Sequence, residues 1–141
     1  MIPIQLDWIA FFMLTGLVQS VVLAAVFLSG ERRRVPANRF MGLFLIAVTL
    51  TGAEVFLCYT GYMQYVIHLI DSTESFNFTI APLAYFYTYS RLNGHSPPYP
   101  WAHFVLFFFY FLYSGFFLLQ PNGEKMNAFI WAYHPELPYV D

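Results

Sequence analysis

From Trp8 to Leu28 the chain reads "WIAFFMLTGLVQSVVLAAVFL", without one Asp, Glu, Lys or Arg. Coiled as a helix, at about 1.5 Å per residue, such a stretch reaches roughly 30 Å, the thickness of a bilayer's hydrocarbon core. Three later runs repeat the pattern. Phe40 to Tyr59 is interrupted only by Glu54, Trp101 to Leu119 carries His103 near its start, and the shorter Phe76 to Leu92 contains Pro82 and ends with Arg91. Composition points the same way. With 59% hydrophobic and 10% charged residues, against about 25% charged in a soluble domain, the chain cannot cover a water-facing surface. The expected fold class is therefore all-α, a polytopic integral membrane protein of about four transmembrane helices. They are placed at about 8–29, 39–60, 76–92 and 101–119, within a membrane domain of residues 1–119. Residues 120–141 read as an extracytoplasmic tail or the start of a longer loop.

Orientation follows from the connector "SGERRRVPANRF", which holds Arg32, Arg33, Arg34 and Arg39. Short loops rich in Lys and Arg stay in the cytoplasm. Alternation then puts the N-terminus outside, Thr60 to Ser75 outside, Asn93 to Pro100 inside and everything after Gln120 outside. Arg91 falls inside as well, and only Lys125 of the six cations falls outside, among Glu124, Glu136 and Asp141. A cleavable signal peptide would need a positive segment before its apolar run. Here Asp7 precedes the run and the arginines follow it, so the first helix reads as uncleaved. The location implied is a bacterial inner membrane, crossed several times.

Within the runs, polar and small residues mark the faces that meet protein. Gly16, Ser20 and Ala24 recur every four residues, the spacing that lets two membrane helices approach closely. Thr15 and Gln19 lie on the neighbouring ridge, and an unpaired Gln19 amide facing lipid would cost several kcal/mol. Ala47, Thr51, Glu54 and Cys58 form a stripe on the second helix. Glu54 is the only acid within a membrane run, which makes it a functional candidate by default; Gln19 or a tyrosine is its expected partner. Tyr85 and Tyr89 share one face of the third run, while Tyr87 and Arg91 share another and are spaced for a cation–π or hydrogen-bonded pair. Gln19, Glu54, Tyr85 and Tyr87 are the ligand or signal candidates.

Other chemistry is thin. Cys58 is the only cysteine, so one chain can form neither a disulfide nor a thiolate metal cluster. His68 has no histidine at i+3 or i+4, and His95 and His103 straddle a Pro-rich turn at a spacing without metal geometry, so no metal and no cofactor are expected. No phosphate loop, GxSxG, HExxH or CxxC occurs, which argues against an enzyme. A net charge of -2 offers no basic field for nucleic acid. Asn77-Phe78-Thr79 matches a glycosylation sequon, which carries meaning only in a eukaryotic secretory setting.

Taken in order, "TGLVQSVVLAAVFL", the basic connector, "PANRFMGLFLIAVTL", "APLAYFYTYSRL" and "WAHFVLFFFYFL" resemble the opening half of the membrane domain of bacterial AraC-type transcriptional regulators, common in Bacteroidetes-like bacteria. The resemblance rests on Gln19, on Ala37-Asn38-Arg39 and on Pro82, Leu83, Tyr85 and Tyr87; the chain departs from the pattern at Ala81, Tyr89 and Leu106. It implies a sensor domain that transmits a signal to a cytoplasmic helix-turn-helix domain. With the N-terminus outside, an odd number of helices is needed to reach that domain, and this chain supplies four, so it reads as a fragment lacking three helices and the regulator. Its partners would be the lipid bilayer, those missing C-terminal parts and, in a homodimer, a second copy; nucleic acid would not bind this segment itself. The alternative is a small integral membrane transporter or channel subunit, with Glu54 as an ion or proton site.

Overall fold

In a computed structural model, which describes residues 2–139, every regular element among the described residues is helical. Five α-helices follow in order: α1 Trp8–Leu28, α2 Pro36–Thr60, α3 Asn77–Asn93, α4 Val105–Leu118 and α5 Asn122–Tyr133. Short 3-10 turns fill the connectors, at Gly30–Arg34, Tyr62–Tyr65, Ile67–Leu69 and Glu74–Phe76, and another, Pro100–Phe104, leads into α4.

Local chemistry fixes the ends. The Asp7 carboxylate accepts the Ala10 amide at 2.9 Å and caps α1. Pro36 opens α2, where its missing N–H belongs to the set that a helix leaves unpaired anyway. Gly61 closes it at φ +79 in the left-handed region, and a Cβ there would stand 3.0 Å from the Pro3 carbonyl oxygen. Conformation and space therefore both require glycine.

Three helical stretches are long and apolar enough to cross a membrane: Trp8–Leu28, Pro36–Thr60 and the continuous Pro100–Leu118. Their outward surfaces are apolar; Phe12 is 70% exposed, Leu112 67% and Phe116 77%. Such continuous apolar surface suits lipid rather than water. At 17 residues α3 is shorter than these three, and it lies against α2 with Pro82 inside it. The second helix begins at Pro36, three residues before the start expected from sequence, because the proline is a helix starter.

α2 is the central helix. It runs antiparallel to α1: the Gln5 amide donates to the Thr60 carbonyl at 3.0 Å at one end, and Asn38 Nδ2 donates to the Arg32 carbonyl at 2.9 Å at the other. On the α1 side, Ser20 Oγ donates to the Leu45 carbonyl at 3.2 Å and Ala24 is buried. The tightest seats are glycines of α2, since a Cβ at Gly42 would stand 2.4 Å from Leu28 and one at Gly52 2.9 Å from Leu17. Gly16 has nothing within 4 Å of its Cβ position, so it stands away from this contact. On the other side Ala47 packs with Leu83 and Phe86 of α3, joined by Phe40 and Phe44. Thr49 and Thr51 spend their hydroxyls on the Leu45 and Ala47 carbonyls.

The most deeply packed cluster lies at one end of the bundle. Ile2, Cys58, Met63, Ile67, Ile70 and Phe129 bury one another there. The last of these comes from α5, so within the segment that reads from sequence as a tail or the start of a longer loop, Asn122–Tyr133 forms a helix folded over the end of the bundle. Lys125, only 3% exposed, donates its Nζ to the Leu118 carbonyl at 2.7 Å and so caps the C-terminus of α4.

Candidate functional site

The two ends of the bundle differ in charge. One holds Arg32, Arg33, Arg34, Arg39 and Arg91 against Glu31 alone. The other holds Asp7, Glu54, Asp71, Glu74, Glu124 and Glu136 against Lys125 alone, among the described residues. The polar network of interest is built at the acidic end, where α2 and α4 meet the connector between α2 and α3.

Glu54 sits in the last two turns of α2, and its carboxylate faces the connector. One oxygen accepts the Asp71 amide. The other accepts the Thr73 amide at 2.9 Å and the Thr73 hydroxyl. The carboxylate thereby satisfies two backbone amides and a hydroxyl in the stretch between the 3-10 turns Ile67–Leu69 and Glu74–Phe76. The next turn carries Glu74, whose carboxylate accepts the Tyr110 hydroxyl of α4. Two acids thus tie α2, the connector and α4 together. Phe76 on Phe107 and Phe78 on Tyr110, with ring centroids 5.5 and 5.0 Å apart, add an aromatic seam beneath them.

Beside these ties lies a cavity of about 330 Å³ lined by Asp71, Glu74, Tyr110, Tyr113, Ser114 and Phe117, among others. Asp71 is held at φ +58, a left-handed conformation that Asp tolerates better than most residues. Burial, then Glu74 and Glu54, push its carboxyl from the ordinary 3.8 up to about 6. At the rim of the same end, the Tyr59 hydroxyl donates to Asp7 at 2.6 Å. That bond and the Ala10 amide hold the Asp7 carboxyl below its ordinary range.

The four residues singled out from sequence do not converge. Glu54 lies in the network just described, with Thr73 and Asp71 as partners and neither Gln19 nor a tyrosine. Gln19 is exposed on α1. Tyr85 is 47% exposed near the basic end, its ring 5.5 Å from His103 and 5.9 Å from Tyr89. Tyr87 is half-buried, and no hydrogen bond or ring contact joins it to Arg91. His95 and His103 share one aromatic cluster, with His95 5.6 Å from Tyr89 and His103 5.2 Å from Phe86. Among the described residues no three His, Cys, Asp or Glu side chains are placed to hold a metal ion.

Sequence reading missed Asp71, Thr73, Glu74 and Tyr110. Their one signal was a pair of acids in a connector that faces the only acid of an apolar run. No family model, curated protein or solved structure matches the chain in comparisons with each.

Proposed function

We propose that this chain is part of the membrane-embedded sensory domain of an AraC-type transcriptional regulator, lying in a bacterial inner membrane with its basic end in the cytoplasm. The charge division between the two ends carries the embedding and its direction. Arginines gathered at one end of an antiparallel bundle are the arrangement that retains that end on the cytoplasmic side. Alternation through α3 makes four spans, with α5 and the 61–76 connector as a cap outside.

The acidic network supports the sensory reading. Glu54 and Glu74 hold the connector to α2 and α4 through a few bonds to water-accessible groups, and two such helices can take up more than one spacing. A small molecule or lipid that prefers one spacing shifts the populations of both. Relayed along α2 and α4, that shift reaches the basic end, where a regulator domain would receive it. Among the described residues no α-helix carries more than one Lys or Arg, so on this reading contact with DNA belongs to the regulator domain. Glu54 has both oxygens taken by the connector, which favours a latch over the ion site a transporter subunit would need.

The coding sequence past the Asp141 codon tests the assignment. A frame that runs through about three more apolar spans, the number parity requires, into a basic helix-turn-helix supports it. A stop codon there would remove the output and with it the regulator reading. Reporter fusions after Arg34 and after Gln120 test the orientation independently.

A further inference from the structure

At the basic end a cleft of about 520 Å³ opens between α1, the connector and α2, lined by Leu28, Arg33, Arg39 and Leu43. Leu28 also closes a second, apolar groove of about 340 Å³ between α1 and α2, lined further by Val21, Ala25, Ile46 and Leu50. The cationic cleft and the apolar groove share Leu28, and Arg39, Leu43, Ile46 and Leu50 follow one face of α2 from the first to the second. Thr49 faces that groove, but its hydroxyl is spent on the Leu45 carbonyl.

Arg33 and Arg39 are exposed, and among the described residues neither pairs with a carboxylate. Arg39 Nε donates to the Arg33 carbonyl at 2.5 Å, which fixes its guanidinium and leaves the terminal nitrogens for an outside acceptor. Asn38 holds the same turn through the Arg32 carbonyl. Among the described residues Glu31 is the one acid at this end, and its carboxylate pairs with Arg34 at 2.9 Å. Arg33 and Arg39 thus have no carboxylate of their own. They stand where α1 ends and α2 begins, the depth at which lipid phosphates meet a span.

We propose that this cleft and groove form one binding site for an anionic phospholipid, with its phosphate on Arg33 and Arg39 and one acyl chain between α1 and α2. Guanidinium groups bind phosphate through paired charge-assisted hydrogen bonds, and basic pockets between spans on the cytoplasmic side suit anionic headgroups. The inference rests on the membrane embedding proposed above, with the basic end inward.

Native mass spectrometry of the purified full chain in detergent, with equal phosphatidylglycerol and phosphatidylcholine of matched acyl length, tests it. The expected result is preferential retention of phosphatidylglycerol, weakened about fivefold by Arg33→Gln and again by Arg39→Gln, since each arginine near an anionic surface is worth about that factor. Arg34→Gln, which alters an exposed pair with Glu31 outside the lining of the cleft, lowers the preference less than either of those changes. Ala25→Phe fills the groove from an exposed position and lowers retention of the lipid without altering the arginines. Equal retention of the two lipids by the unmodified chain overturns the proposal. So does displacement of phosphatidylglycerol by inorganic phosphate together with undiminished retention by Ala25→Phe, which would mark a site for free anions. The fusion after Arg34, read in the same variants, reports orientation separately, so failed embedding and failed lipid binding give different results.

Discussion

Glu54 is the residue whose removal should be felt most. Bonds to a charged acceptor contribute about 1.5–3 kcal/mol each, and this carboxylate accepts two amides and a hydroxyl. Because Glu54 is half-buried and water replaces part of what is lost, Glu54→Ala is expected to lower stability by less than the sum of the three, roughly 2–4 kcal/mol, and to speed hydrogen exchange at the Asp71 and Thr73 amides. Glu54→Gln, which keeps one acceptor oxygen, should fall between. Unchanged exchange in Glu54→Ala would mean the connector is held by other contacts. Asp71 works in the opposite sense. Its carboxyl binds a proton more tightly in the folded protein, so its contribution to stability falls as pH rises from 3.8 to about 6 and stays low above that. Asp71→Asn removes the titration and suits the φ of +58. At pH 7 the variant should be more stable by roughly 1 kcal/mol, a figure discounted because the half-buried carboxyl still meets water. Thermal unfolding in detergent across that window should show the advantage vanish toward its acid end.

At the level of helix pairs, α1 and α2 meet through leucines of one and glycines of the other. A Cβ at Gly42 would stand 2.4 and 2.6 Å from two carbons of Leu28, so Gly42→Ala should push the helices apart at a cost of about 1–3 kcal/mol. Gly16→Ala meets open space and should be neutral or stabilising by up to about 1 kcal/mol through helix propensity. Resistance of the two variants to denaturing detergent orders them, and equal effects would contradict the packing described. The small-residue spacing was legible on α1, but the glycines that set the approach are on α2. They lie ten residues apart, at Gly42 and Gly52, outside the four-residue rule. α5 escaped notice because its apolar stretch, Met126 to Tyr133, is far shorter than a membrane span and follows Asn122, Gly123, Glu124 and Lys125. Only the cluster of Ile2, Met63 and Ile67 beneath them explains the helix.

For the molecule as a whole, the charge division gives a direct test. A reporter fused after Arg34 should report cytoplasm and one after Gln120 the exterior. Replacing Arg32, Arg33, Arg34 and Arg39 together with Gln should yield a mixture of both orientations, because only Arg91 then remains at that end to hold it. A uniform orientation in that variant would assign topology to something other than the arginines. The sequence by itself determined what depends on neighbours along the chain. Those are helical structure, the apolar stretches long enough to cross a membrane and the gathering of cations in one connector, because length, hydropathy and charge order are local properties. The tertiary structure alone decided which polar groups meet. Glu54 found backbone amides nearly twenty residues later in sequence, at Asp71 and Thr73, and Gln19 stayed on the outer face of α1. Those outcomes depend on how a connector folds back and how each helix is rotated about its axis, and an apolar run that is hydrophobic on every side carries too little periodicity to fix that rotation.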